Sequence, residues 1–248
     1  MSLSEFRSAD GGSGQFNSFS STASTGAGAE GLRRRSDRDP VLELVIGDIT
    51  CEGTEAIVNP AGPGLVDLSV RRAAGPQLLD AFHQAIGHFP EGRLPPGQAV
   101  LTPGFQLLAR HVIHTSSPVY ADDPARAREE LASCHIEALR LARENKLSSV
   151  ALPAIGTGVF RYPAREAAEV AVSTIVAELR KHGAPLHVRL VLFTAASHRT
   201  YTSAATVLLN QDPINGEAGA RFNLRPAGGW GSDGSGRRGE GRDSRLLR

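Results

Sequence analysis

Six short runs of β-branched and aliphatic residues punctuate the middle of the chain, over 41–46, 56–58, 98–102, 111–115, 148–152 and 187–193. Each is followed by a turn or loop signal, such as Gly47 after the first and Pro60 beyond the second, so each reads as a strand. Several are continuous apolar runs rather than alternations, which suits strands covered on both faces. Between them the period changes to that of a helix. Ala127, Leu131, Cys134, Ala138 and Ala142 follow an Asp122-Asp123-Pro124 start, a carboxylate cap ahead of a proline. A second helix opens at Pro163, runs through Ala168, Ile175 and Leu179, and carries Lys181 and His182 in its last turn before Gly183. A third passes through Leu78, Leu79, Phe82 and Ile86 to Gly87, and a last one is predicted over 201–209.

Strands alternating with helices through short loops predict an α/β domain with helices layered on a mostly parallel sheet. The flanks behave differently. Residues 1–39 contain 6 Gly and 9 Ser, and residues 211–248 contain 9 Gly and 7 Arg, with few bulky apolar side chains in either. Neither can bury enough apolar surface to offset the entropy of ordering it, so both are expected to be disordered tails around one domain at 40–210.

Charge narrows the function little. The chain holds 27 basic and 26 acidic residues, and the 40–210 segment holds 15 and 16, so the core lacks the basic surplus of a nucleic-acid binder. Cys51 and Cys134 are too few for a disulfide framework. With no signal-peptide core and no 18-residue apolar run, the expectation is an intracellular protein, cytoplasmic or nuclear, without membrane contact.

In such sheets ligands bind beyond the carboxyl ends of strands. After the first strand comes Gly47-Asp48-Ile49-Thr50, whose carboxylate can accept from an exocyclic amine or a ribose hydroxyl. After the fifth comes Pro153-Ala-Ile-Gly156-Thr157-Gly158-Val159-Phe160, ahead of a helix. Glycines there permit the turns that aim successive N–H groups at one point, and the helix start favours the same anion. After the second comes Asn59-Pro60-Ala61-Gly62-Pro63-Gly64, then Val66-Asp67, a stiffer loop whose two prolines remove two N–H donors. An ordinary turn remains the alternative for each loop alone.

In order along the chain, these motifs resemble the macro domain, an ADP-ribose-binding α/β module. The resemblance spans roughly 41–208 and also takes in Arg72-Ala73-Ala74-Gly75, Gly97 to Phe105, and Val112-Ile-His114-Thr115. It implies a three-layer α/β/α mixed sheet. It further implies that Asp48 accepts from the adenine amine beside the Ile49 amide. Gly156, Thr157, Gly158 and Val159 would wrap the diphosphate, and Phe160 would pack on the distal ribose. Asn59 matches the first asparagine of the family's Val-Asn stretch, and Asp67 the aspartate that helps activate water in hydrolytic members. Two departures follow from the same comparison. Gly62 stands where those members carry a second asparagine, and the loop between Gly62 and Val66 is several residues short.

The expected function is therefore binding of ADP-ribose or ADP-ribosylated protein with weak or no turnover. The alternatives are an ADP-ribosyl or O-acetyl-ADP-ribose hydrolase using Asp67 with Asn59, and a non-binding scaffold whose tails contact protein or RNA. No cofactor and no metal are expected. His111 and His114, three apart on a strand, point to opposite faces, and Cys134 reads as core. Asp67 also reads as the N-cap of a helix starting at Leu68, the reading its position favours, and Arg71 and Arg72 as a solvated helix face.

Overall fold

The computed structural model describes residues 40–62, 66–121, 123–182, 187–210 and 223–226. The remainder of both expected tails, and Pro63, Gly64 and Leu65 of the loop after the second strand, lie outside the described residues. Seven strands form one mixed sheet: β1 (Val41–Ile46), β2 (Ala56–Ala61), β3 (Ala99–Pro103), β4 (His111–Ser116), β5 (Ser149–Leu152), β6 (His187–Leu192) and β7 (Asn223–Pro226). Their order is β3-β4-β2-β5-β6-β1-β7. All neighbours are parallel except the β3–β4 pair at one edge. The hairpin turn after β3 admits only glycine at 104, because a Cβ there would stand 1.9 Å from the Ala109 carbonyl oxygen.

Helices α1 (Leu68–Ala74) and α2 (Gln77–Ile86) cover one face, burying Val70, Leu78 and Phe82 against Ile57, Val100 and Val112. On the other face α3 (Pro124–Glu144), α4 (Ala164–His182) and α5 (Ala195–Asn210) pack Leu131, Ile175 and Tyr201 against Leu42, Val58 and Leu190. The three-layer α/β/α arrangement expected from the sequence is thus present. α3 starts as its cap predicts, with the Asp123 carboxylate accepting from the Arg126 amide at 3.1 Å.

Three elements differ from their sequence reading: α5 begins at Ala195, six residues before the predicted 201–209, and β2 and β7 depart as follows. β2 does not stop before Pro60 but runs to Ala61. It pairs with β5 only at Ala56 and Ile57, while β4 accompanies it to the end, so a proline is tolerated where the strand has one neighbour. β7 lies in the stretch expected to be tail. It runs along β1 from Val41 to Leu44, covering main-chain groups that an edge strand would leave unpaired.

The parting of β2 and β5 positions the site. The chain leaving β2 turns toward the α1–α2 face, and the chain leaving β5 turns toward the α4 face. Between those strands the direction of winding reverses, and a crevice at their carboxyl ends follows from the topology.

Candidate functional site

The 153–163 loop, which leaves β5, is tied at its base and keeps several amides unpaired at its top. Tyr162 N donates to Gly156 O at 3.0 Å and Arg161 N to Gly158 O at 3.0 Å. Thr157 Oγ1 donates to Ala154 O at 2.8 Å. The amides of Gly156, Gly158, Val159 and Phe160 make no hydrogen bond among the described residues. Gly156 adopts φ +81°, open to glycine, and a Cβ there would press on the Tyr162 Cβ at 3.3 Å. Gly158 has open space around it, so the room above the loop is real. The uncommitted donors lie ahead of the start of α4, where main-chain N–H groups and the helix end both favour an anion.

Two aromatic residues support this loop, and the sequence reading did not single them out. Tyr162 is buried and its ring packs on Tyr120, with centroids 4.7 Å apart. The Tyr120 hydroxyl donates to Glu166 near the start of α4, at 3.1 and 3.3 Å to the two carboxylate oxygens. That carboxylate raises the Tyr120 pKa, and burial raises that of Tyr162, whose hydroxyl has no partner among the described residues, so both phenols stay neutral.

Asp48 sits at the end of β1, where its exposed carboxylate caps the short 3-10 turn Ile49–Cys51. Oδ1 accepts from Thr50 N at 2.9 Å and Thr50 Oγ1 at 2.8 Å, leaving Oδ2 for a ligand. The neighbouring Ile49 amide donates to nothing among the described residues. An acceptor beside a donor is the complement of an adenine edge, which offers an amine and a ring nitrogen. Ile46 and Phe193, 46% and 81% exposed, flank this turn, since Ile46 pairs with Leu192. An aromatic side chain left this exposed is a platform for a planar ring. The signal in the sequence is an apolar residue running past the end of the sixth strand, which by pattern alone reads as more strand.

The β2 side is built differently. Asp67 is the N-cap of α1, its Oδ1 accepting from Ser69 N at 2.8 Å, Val70 N at 3.4 Å and the Ser69 hydroxyl. This is the capping role weighed from the sequence, and it leaves Oδ2 uncommitted at the surface. Asn59 has no solvent exposure. Its Nδ2 donates to His114 Nδ1 at 3.1 Å, which places the ring proton on Nε2, 2.8 Å from Thr102 Oγ1. Thr102 passes its own proton to Pro103 O at 3.2 Å. Burial pushes the His114 imidazole down to about 3, so the ring is neutral and serves as an acceptor for Asn59. Asn59 Oδ1 is buried without a partner among the described residues. The structure therefore brings Asp48, Ile49 and the 156–160 loop to one rim, and sets Asn59 beneath it.

His114 stacks near Phe82 on the α1–α2 side, with centroids 4.8 Å apart. Cys134 is buried core, its thiol pushed up to about 11 by burial. Arg71 and Arg72 are exposed on α1. Among the described residues no group of three or more His, Cys, Asp or Glu is placed to hold a metal ion. No helix among them is long and apolar enough to cross a membrane.

Comparison with known proteins bears on the whole layout. The model of the Macro domain family matches residues 58–171. A macro domain-containing protein of Xanthomonas axonopodis pv. citri is 39% identical over 168 residues, 66% of this chain and 94% of that protein. An O-acetyl-ADP-ribose deacetylase of Klebsiella pneumoniae is 42% identical over 165 residues, 63% of this chain and 93% of the enzyme. Among solved structures, a variant of the Oceanobacillus iheyensis macrodomain with ADPR aligns at TM-score 0.65 and 38% identity, over 68% of this chain and 93% of that one. The Trypanosoma brucei macrodomain in complex with ADP-ribose aligns at 0.55 and 31%, over 65% and 68%. Sheet order, strand-end chemistry and these likenesses agree, and the chain belongs to the macro domain family.

Proposed function

We propose that this domain binds ADP-ribose, free or attached to protein, across the carboxyl ends of β1, β6, β5 and β2, with little or no turnover. The observation that carries the reading is the pairing of four uncommitted amides at 156–160 with the acceptor–donor edge of Asp48 and Ile49. Two strand spacings, about 10 Å in all, separate the β1 end from the β5 end. That span suits a nucleoside, with its purine at Asp48 against Phe193 and its phosphates at the nest. Phe160, half-buried at the far side of the loop, is then placed against the distal ribose at the β2 side.

Slow turnover is supported by the state of the β2 side. Asp67 lends one carboxylate oxygen to helix capping, and Gly62 offers no side chain to hold a ribose or a water. Alignment of reacting groups is worth roughly 7–11 kcal/mol of a barrier, so missing orienting groups reduce rate more than affinity. The names of the deacetylase relatives favour a second reading, hydrolysis with Asp67 activating water, and the exposed Oδ2 is compatible with it.

The deciding experiment is calorimetry with ADP-ribose, followed on the same protein by an assay for release of ADP-ribose from modified protein and of acetate from O-acetyl-ADP-ribose. Micromolar binding with no release above that of Asp67→Asn is expected. No heat at high micromolar protein removes the binding reading, and release that depends on Asp67 replaces it with the hydrolytic one.

A further inference from the structure

The amino ends of α3, α4 and α5 lie at the same end of the domain as the strand-end rim, because each helix returns antiparallel to the strand before it. On their outer side is a cavity of about 810 Å³ between α4 and α5, reached also from α3. Each helix contributes an arginine from its first five residues: Arg128, Arg165 and Arg199. Only Arg165 has a carboxylate partner among the described residues, Glu169 at 3.1 Å from its Nε. Glu169 is also the single acidic residue among the described lining, so three guanidinium groups face one carboxylate. Ser173 and Thr200 direct their hydroxyl protons to helix carbonyls of Glu169 and Ala196, which leaves Ser203 as the hydroxyl donor. Further along the same two helices the lining turns apolar, with Val172 on α4 and Ala204 and Leu208 on α5.

Nothing in the ADP-ribose site uses this groove. We infer that it is a second anion site, for a phosphate-bearing ligand of about nucleotide size. Guanidinium forks match the oxygens of a phosphate in bidentate fashion, and arginines unpaired with carboxylates are ready to do so without breaking an existing ion pair. The cavity volume lies in the range that holds small organic ligands, and apolar side chains next to the basic ones suit a sugar or base carrying an anionic head. The groove offers no strand edge for an extended acidic peptide, whose binding through its main chain would need one.

The test is titration of the full chain with inorganic pyrophosphate at low salt. It is made in a Gly158→Glu background, which places a carboxylate in the open space of the crevice loop and so removes that competing anion site. One binding event is expected, weakened about 10-fold when Arg128→Ser and Arg199→Ser are combined, and weakened further by raised salt. ADP-ribose affinity of the double arginine variant with Gly158 intact should stay within about two-fold of the unmodified protein. No pyrophosphate binding in the Gly158→Glu protein, or equal binding with and without the two arginines, overturns the site. Equal affinity for a glutamate peptide of the same charge overturns its assignment to phosphate. Failure of ADP-ribose to bind would remove the function proposed above without touching this result.

Discussion

The residues at the carboxyl ends of the neighbouring strands β5 and β2 solve opposite problems. The β5 loop binds itself at the base, through Gly156 O and Tyr162 N, and keeps four amides at its top without partners. The β2 loop uses its functional group for the fold: Asp67 satisfies the first amides of α1, and Asn59 is sealed below in a relay through His114 to Thr102. A main chain shaped by glycine offers donors that no other described residue takes. A side chain at a helix start is drawn into capping, because unsatisfied N–H groups there would otherwise need water. On the function proposed above, this contrast is what would let the domain hold its ligand without turning it over.

The sharpest way to break this contrast is Gly158→Glu. Its Cβ meets nothing within 4 Å, so stability should hold, while the carboxylate enters the space of the diphosphate. ADP-ribose affinity should fall more than about 100-fold, roughly 3 kcal/mol, by calorimetry. A small loss would show that the β5 loop does not carry the phosphates.

Acid attacks the β2 side instead. His114 is held to about 3 in the folded state and returns to 6.5 when the chain unfolds, so the unfolded state takes up the extra proton between those values. Stability is therefore complete above about pH 6.5 and falls as pH drops, by up to about 1.4 kcal/mol per unit. Urea unfolding at pH 7 and pH 5 should show about 2 kcal/mol lost on account of this ring, a share that His114→Gln abolishes. His135, buried and held to about 4, adds to the loss in both proteins and so does not blur the difference between them.

Next in size, Asp48→Ala should weaken ADP-ribose binding about 10-fold, near 1.4 kcal/mol, since a hydrogen bond to a charged group is lost at the purine. Guanine in place of adenine should then lose its disadvantage. The smallest effect is expected at Asp67. Asp67→Asn keeps a good N-cap and should change both affinity and stability by less than about 0.5 kcal/mol, whereas Asp67→Ala should lower stability by about 1 kcal/mol. A large loss of affinity in Asp67→Asn would mean that the β2 loop grips the ligand after all.

Much of this was legible in the chain, for reasons that differ from residue to residue. The strands at 41–46 and 111–115 and the helix after Pro124 announce themselves because apolar runs, proline and a capping carboxylate act on their own neighbours. The 156–160 loop was legible because glycine spacing constrains the main chain directly. Asp67 could be read in two ways, since a carboxylate ahead of a helix looks the same whether it caps or catalyses, and only the hydrogen bonds from Ser69 and Val70 identify its structural work. From sequence Phe193 reads as the end of a strand, because nothing in an apolar run tells where the sheet stops covering it.

Local chemistry was thus written in the sequence: the period of each element, its caps, the turn that needs Gly156, and the carboxylate at the end of the first strand. Tertiary structure decided what depends on partners distant along the chain. It carried β2 through Pro60 once β5 had parted from it, covered β1 with β7, buried Asn59 against His114, and gathered Arg128, Arg165 and Arg199 from three helices into one groove. Periodicity and turn preference act within a few residues, whereas burial and charge proximity are set by strand order, which no short stretch of sequence contains.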